Sequence, residues 1–288
     1  MDHLKINRVT LVGGQKSTTQ KTYFAKLVKF LRGQKKEVLL DKSIAKILGR
    51  KAASSPQIKN SDLILVFGGD GALLGAVRDY FDSSAKFAGV RLDGTLGFLT
   101  EYSPKDLTKL LAQFFRKKFE VDERILIKAK VRRGGKIIKT LRALNEVVVQ
   151  QNAFTELIEL DFDLDGKRIA TFHADGAILA TPTGSTAYSL SAGGPILDPN
   201  LKAFILTPIN PHLLTARPLV LQETGKLHSK IRAKNLFLVA DGQKSFGLKI
   251  GDEIIFEKCE WILQTIHPKN RNHFETLRKK LNWSERKV

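Results

Sequence analysis

The sequence has a single cysteine, Cys259, in 288 residues. That excludes an internal disulfide framework and any site built from several thiolates, and Cys259 itself is expected to be a small buried hydrophobe in a strand. No long uncharged apolar run is present, so no membrane-spanning helix is expected. The start, Met1-Asp2-His3-Leu4-Lys5, lacks the apolar stretch of a secretory leader, and a cytoplasmic location is expected. Acidic residues are in short supply: 29 Asp and Glu stand against 48 Lys and Arg, a net charge of +19. A field of that sign draws anions, among them nucleotides, polyphosphate and nucleic acid. No aromatic-rich basic repeat, zinc-finger spacing or recognition-helix pattern accompanies the charge, so nucleic acid is not the expected partner.

Several familiar signatures are absent on inspection. Gly13-Gly14-Gln15-Lys16-Ser17 resembles a P-loop, but that motif needs glycine where Gln15 and Thr10 stand. Asp161-Phe162-Asp163-Leu164-Asp165-Gly166 begins like a calcium loop, yet Phe172 occupies the last position, where a bidentate Glu is required. The better reading is an alternating strand, with Ile158, Leu160, Phe162 and Leu164 inward, closing in an Asp-Gly turn. There is no G-x-G-x-x-G dinucleotide fingerprint, and the six histidines show no zinc-ligand spacing.

What is present is Gly68-Gly69-Asp70-Gly71, directly after the apolar run Leu63-Ile64-Leu65-Val66-Phe67. Three glycines around one Asp allow unusual backbone angles and close approach of main-chain amides to a ligand. A helix from about Ala72 would add a positive dipole end, which favours anions. The chain around this loop alternates strand-like and helix-like stretches. Val9 to Val12, Val38 to Leu40, Leu63 to Phe67 and Phe87 to Val90 read as strands, and Tyr23 to Leu31 reads as an amphipathic helix. That rhythm implies a mostly parallel sheet with ligands at the carboxyl ends of its strands.

Ser103-Pro104-Lys105-Asp106 reads as a helix start capped by Ser103, with Leu107, Leu110, Leu111, Phe114 and Phe115 as its apolar stripe. From Val121 the period changes to two, and strand-like runs recur at Ile231 to Val239 and Glu253 to Ile266. From His267 to Val288 the pattern returns to helix, with Phe274, Leu277, Leu281 and Trp283 spaced to pack one face. The expected division is an N-terminal α/β domain over 1–102 that carries the glycine loop, a β-rich C-terminal domain over 103–266, and a tail over 267–288 packing on the first.

The richest stretch runs from Asp175 to Pro195. It joins Asp175-Gly176, a short apolar strand, the hydroxyl cluster Thr181-Pro182-Thr183-Gly184-Ser185-Thr186, then Ala187-Tyr188-Ser189-Leu190-Ser191 and Gly193-Gly194-Pro195. Grouped hydroxyls and free amides can bind ribose, phosphate and an amide edge, and Tyr188 offers a face for a base.

These residues together resemble the NAD kinase family. Gly68-Gly69-Asp70-Gly71 is similar to its first motif, Leu96-Gly97-Phe98-Leu99-Thr100 to its next, and Leu144-Asn145-Glu146-Val147 to its Asn-Glu pair. The Asp175 to Pro195 stretch is similar to its longest signature, and Leu206-Thr207-Pro208-Ile209 with Arg217-Pro218-Leu219-Val220 to its later segments. The resemblance implies an α/β N-terminal domain with a mostly parallel sheet, a β-rich C-terminal domain that binds NAD, and assembly as a homodimer or homotetramer. It implies phosphorylation of the 2′-hydroxyl of the adenosine ribose of NAD or NADH by ATP or polyphosphate. Mg²⁺ or another divalent metal would be carried mainly by the donor phosphates rather than by side chains.

By matched position, Asp70 is the base, with Gly68, Gly69 and Gly71 on the donor phosphates. Asp70, Gly71, Phe98, Asn145, Glu146, Asp175, Thr186, Ala187, Tyr188 and Ser191 bind NAD, with Phe98 near the adenine. Two departures stand out. Ala72 replaces a common Thr, removing a hydroxyl from the donor side. Arg91 stands where Asn is usual, in a Gly89 to Gly97 segment one residue longer than common, where it could pair with Asp93 or reach a phosphate. The alternatives are a lipid or sugar kinase with the same glycine turn, or a non-catalytic basic nucleotide-binding protein.

Overall fold

The structure is a computed structural model that describes residues 5–14, 18–92, 97–151, 157–269 and 272–283. The chain forms two compact units, residues 1–122 with 264–288, and residues 123–263.

In the first unit the elements follow in the order β1 (Arg8–Gly13), α1 (Thr18–Gly33), β2 (Glu37–Leu40), α2 (Lys42–Leu48), α3 (Ser55–Lys59), β3 (Leu63–Phe67), α4 (Asp70–Tyr80), β4 (Lys86–Val90) and α5 (Leu107–Phe115). The strands form a parallel sheet ordered β2-β1-β3-β4. A central parallel strand is covered on both faces and needs apolar side chains throughout, which is why all five residues of β3 are buried. Leu27, Leu31, Leu63, Leu65 and Phe67 share one core with Leu107, Leu110, Leu111 and Phe114 of α5. That packing places the helix after Ser103 within the first unit, so the chain divides after Asp122 rather than after residue 102.

Asp106 rather than Ser103 is the N-cap of α5: the Ser103 hydroxyl donates to Asp106 Oδ2 at 2.6 Å and accepts from Asp106 N at 3.4 Å, closing a turn ahead of a helix that begins at Leu107. Helix α4 begins at Asp70, two residues before the expected start, because its N-cap is Gly69.

The second unit is strand-rich: β5 (Phe119–Arg133, entering from the first unit), β6 (Lys136–Ala143), β7 (Glu146–Gln151), β8 (Ile158–Leu164), β9 (Lys167–Ala174), β10 (Gly176–Ala180), a 3₁₀ turn (Thr183–Thr186), α6 (Tyr188–Ser191), β11 (Ala203–Ile209), β12 (Leu219–Gln222), β13 (Leu227–Lys230), β14 (Leu236–Ala240), β15 (Lys244–Gly247) and β16 (Glu253–Pro268). One antiparallel sheet runs β12-β11-β10-β7-β14-β15. Its β7 alternates as a strand must: Val147 and Val149 join the large core with Phe162, Leu179 and Leu238, while Val148 joins Ile178, Ile205 and Ile209 on the other face. Strand β8 alternates as expected, and Asp165 (φ 49°) with Gly166 (φ 79°) makes the turn to β9. Of the run expected over 231–239, Leu236 to Val239 lie in β14, while β13 ends at Lys230, just before it. Cys259 is buried in β16.

At Leu263/Gln264 strand β16 passes into the first unit, where Gln264 and Thr265 pair in parallel with Lys86 and Phe87 of β4. This pairing extends strand through Pro268, where helix was expected. The final helix, α7 (His273–Leu281), buries Leu277 alone among the four spaced residues; Phe274 is 60% and Trp283 61% exposed. A helix at the rim of a unit needs only a narrow apolar stripe, so spacing overstated its buried face.

Candidate active site

In the first unit three adjacent parallel strands end side by side. Gly13 at the end of β1 pairs with Phe67 of β3, and Phe67 pairs with Val90 of β4. Gly13 (φ 92°) and Gly14 (φ 83°) turn the chain sharply there, and the Gly14 N–H donates to Phe67 O at 2.9 Å. A Cβ on Gly13 would fall 2.4 Å from that carbonyl oxygen, so no side chain fits. Buried Asp41 ties this corner down, accepting from Gly13 N at 3.0 Å while it caps α2 through Ile44 N at 2.8 Å. Above the strand ends lies a cavity of about 540 Å³, with Gly13, Gly14, Gly68, Gly69, Gly71 and Arg91 among its lining residues. The N-terminus of α4 opens on it, so amides and a positive dipole end face the space. The two glycines of the rejected P-loop segment are thus part of the same floor as Gly68 and Gly69; Gln15, Lys16 and Ser17 lie outside the described residues.

Asp70, in the first turn of α4, is held from the segment 97–100. Its Oδ1 accepts from Thr100 Oγ1 at 2.7 Å, Thr100 N at 3.0 Å and Leu99 N at 3.3 Å, and its Oδ2 accepts from Phe98 N at 2.9 Å. Gly97 makes the approach possible, since a Cβ there would lie 1.9 Å from Asp70 Oδ1. The carboxylate is fixed in one orientation, with three donors on Oδ1 and one on Oδ2. Phe98 is half-buried, and its main chain contributes to holding Asp70. Leu96 and Asp93 lie outside the described residues, while the Arg91 N–H donates to Tyr102 O at 2.8 Å.

In the second unit Asn145 and Glu146 sit where β7 begins, 8% and 6% exposed. Their backbone is gripped from β14's end: Asp241, in the left-handed region at φ 49°, accepts from Leu144 N (2.9 Å), Asn145 N (2.8 Å) and Glu146 N (3.2 Å). Thr181 grips it from the other side, its N–H donating to Asn145 O at 2.8 Å. Gly184 lies so close that a Cβ would sit 2.1 Å from Asn145 O. Asn145 Oδ1 and Glu146 Oε2 are buried without a hydrogen-bond partner among the described residues. Burial, first, and the nearby negative charge of Asp241, second, push the Glu146 carboxyl up to about 7, against a lowering hydrogen bond from the Tyr188 backbone. Two buried oxygens that lack donors form a site shaped for a ligand rich in hydroxyl or N–H groups.

Of the other expected residues, Thr186, Ala187 and Tyr188 lie on the turn that follows Thr181, with Tyr188 42% exposed and Ser191 exposed at the end of α6. Asp175 stands apart. It precedes β10, whose far end, Ala180, is the residue that pairs with Glu146, and its carboxylate accepts from Asn210 Nδ2 at 2.9 Å. Sequence reading missed Asp241 and Gly13. An Asp-Gly pair closing an alternating strand was the available sign for Asp241.

A glycine-floored cavity at the ends of parallel strands, with a fixed carboxylate beside it, belongs to the nucleotide-handling phosphotransferases. Residues 9–119 match the ATP-NAD kinase N-terminal domain and residues 144–268 the ATP-NAD kinase C-terminal domain. The NAD kinase of Geotalea daltonii is 40% identical over 230 residues, 79% of this chain and 81% of that protein, and that of Syntrophotalea carbinolica 38% identical over 265 residues, 90% and 93%. An NAD kinase from Archaeoglobus fulgidus, solved in complex with ATP, is 28% identical with a TM-score of 0.76, covering 96% of this chain and 98% of that one. Yeast NADH kinase complexed with NADH shares the fold at a TM-score of 0.88 and 24% identity, covering 99% of this chain and 90% of that one. The chain belongs to the NAD kinase family, phosphotransferases with an alcohol acceptor that phosphorylate NAD. Lipid or sugar kinases and non-catalytic binders are set aside by this membership.

Proposed function

We propose that the chain transfers the terminal phosphoryl group of ATP or polyphosphate to the 2′-hydroxyl of the adenosine ribose of NAD or NADH. The 2′-oxygen forms the new bond to phosphorus as the bridging bond to the donor breaks, the shortened donor leaves with that electron pair, and Asp70 takes the hydroxyl proton. A carboxylate has about four lone-pair positions. Among the described residues Oδ2 has one donor and Oδ1 three, which favours Oδ2 as the atom that takes the proton. This is the observation that carries the reading. Gly68, Gly69 and Gly71 present amides to the donor phosphates. Asn145 and Glu146 accept from ribose hydroxyls, and Phe98, Asp175, Thr186, Ala187, Tyr188 and Ser191 line the rest of the NAD site. The work asked of the protein is positioning and charge stabilisation, which suits phosphoryl transfer.

Mg²⁺ or a similar divalent ion would arrive on the donor phosphates. Four hydrogen bonds already occupy Asp70, and among the described residues no group of three or more His, Cys, Asp or Glu is arranged to hold a metal. When bound, such an ion neutralises charge on the transferring group. The reading includes a cytoplasmic homodimer or homotetramer.

The test is to incubate the protein with Mg²⁺, NAD or NADH, and ATP or polyphosphate, and to quantify NADP or NADPH. Product is expected with the parent chain, and Asp70→Asn should lower kcat by about 10²–10⁴-fold. No product with any donor overturns the reaction, and an undiminished Asp70→Asn overturns the base.

A further inference from the structure

Gly69 has no backbone need to be glycine. Its φ of −89° and ψ of −176° are open to any residue, yet a Cβ there would lie 2.6 Å from Arg91 Nη1 and 3.4 Å from Arg91 Cζ. The missing side chain makes room for a guanidinium, laid over the residue that caps α4. The main chain at Arg91 is held from both sides. The Gly68 N–H donates to Val90 O at 2.9 Å, just before it, and its own N–H donates to Tyr102 O at 2.8 Å.

The cavity is otherwise lined by five glycines with Gln20, Phe67, Ala72 and Leu92, so among the described lining residues Arg91 is the one charged side chain. A permanent cation and a helix N-terminus then share one concave space, with no carboxylate among its described lining residues. Their positive potentials add, and the ligand that suits them is a chain of linked phosphates. Ala72, at the first turn of α4, has no hydroxyl to offer such a chain, so the side-chain contribution falls to Arg91. Its planar fork can bond oxygens of two neighbouring phosphates at once, which a point charge cannot do.

We infer that Arg91 grips the phosphoanhydride chain of the donor and sets how tightly the donor is held. The inference rests on the reading of this cavity as the donor site. It makes Arg91 a determinant of donor KM, acting on ATP or polyphosphate through the same contact and leaving the NAD side untouched.

The experiment measures KM for ATP, for polyphosphate and for NAD in the parent chain, Arg91→Ala and Arg91→Lys. It also measures binding of β,γ-methylene-ATP by calorimetry, which needs no turnover. A lost charge-assisted contact should raise donor KM and the analogue's Kd in Arg91→Ala by about 10–100-fold, with NAD KM within about twofold. Arg91→Lys should fall between the two, since it keeps the charge and loses the fork. Whichever donor's KM moves is the donor held. Arg91→Gln, which keeps most of the side-chain volume, repeats the test should the alanine variant fold poorly.

Gly71→Val separates this inference from the reading beneath it, because it puts bulk into the cavity from an exposed position of α4. Analogue binding weakened by Gly71→Val but unchanged by Arg91→Ala and Arg91→Gln overturns the role of Arg91 alone. Binding unchanged by all three overturns the cavity as donor site.

Discussion

Two carboxylates, one in each unit, meet opposite fates. Asp70 is surrounded by donors: three amides and one hydroxyl from residues 98–100 converge on its two oxygens. Glu146 is more deeply placed, 6% exposed, and has an oxygen with no partner among the described residues, as does Asn145 at its Oδ1. Burying an unpaired polar oxygen costs roughly 1–3 kcal/mol, and a fold keeps such a group only where the surroundings over-determine it. Here Asp241 and Thr181 do so by gripping the backbone of residues 144–146. The satisfied carboxylate is held in one orientation by the protein. In the function proposed above, the substrate completes the unsatisfied one.

The largest effect should come from breaking the satisfied side. Gly97→Ala places a methyl where Asp70 Oδ1 lies, so the carboxylate must leave its four donors. We expect kcat to fall at least about 10²-fold, the low end for losing a proton acceptor, while NAD binding measured by calorimetry stays within about twofold. A variant with parent kcat would show that the held orientation does not matter.

Glu146→Gln breaks the unsatisfied side and is read through pH. The folded protein binds the Glu146 proton up to about 7, against 4.5 ordinarily, so between those values the folded state holds more protons than the unfolded one. Stability from neutral Glu146 is therefore full below about pH 4.5 and is lost as pH rises through about 7. Relative to Glu146→Gln, the parent should lose on the order of 2–3 kcal/mol across that window, measured by urea unfolding, with no further change above it. Parallel stability curves would refute the shift. NAD affinity in the parent should rise from pH 6 to pH 8 as the carboxylate ionises to accept ribose hydroxyls, and the glutamine variant should be flat.

The smallest effect sharpens the comparison. Thr100→Val keeps the shape of a fully buried residue and removes one of the four donors to Asp70. One hydrogen bond to a charged group is worth ~1.5–3 kcal/mol in stability, and kcat should drop about tenfold. A loss as large as that of Gly97→Ala would mean that the hydroxyl alone orients Asp70.

Much of this was legible locally. The run Leu63 to Phe67 could only be a covered strand, and the glycines after it could only be a tight, open turn. The Ile158 to Leu164 alternation could only be a half-covered strand ending in Asp165-Gly166. Less legible was whatever depended on a neighbour's position. Ser103 looked like a cap until Asp106 took its hydroxyl, and the stripe Phe274, Leu277, Leu281, Trp283 looked like a packed face until α7 buried one of the four.

By itself, then, the sequence determined the βαβ alternation of the first half, the change to strands in the second, and the residue types at the glycine loop and the Asn145-Glu146 pair. Periods of 2 and 3.6 and the steric freedom of glycine are local properties, readable over a few residues. Tertiary structure alone decided which groups meet across long separations: Thr100 on Asp70, 30 residues apart, Gly13 on Asp41, 28 apart, and Asn145 on Asp241, 96 apart. Such contacts form only once sheet order and register bring distant segments side by side. No local period records that order, and it is what brings four donors to Asp70 and leaves Glu146 Oε2 without one among the described residues.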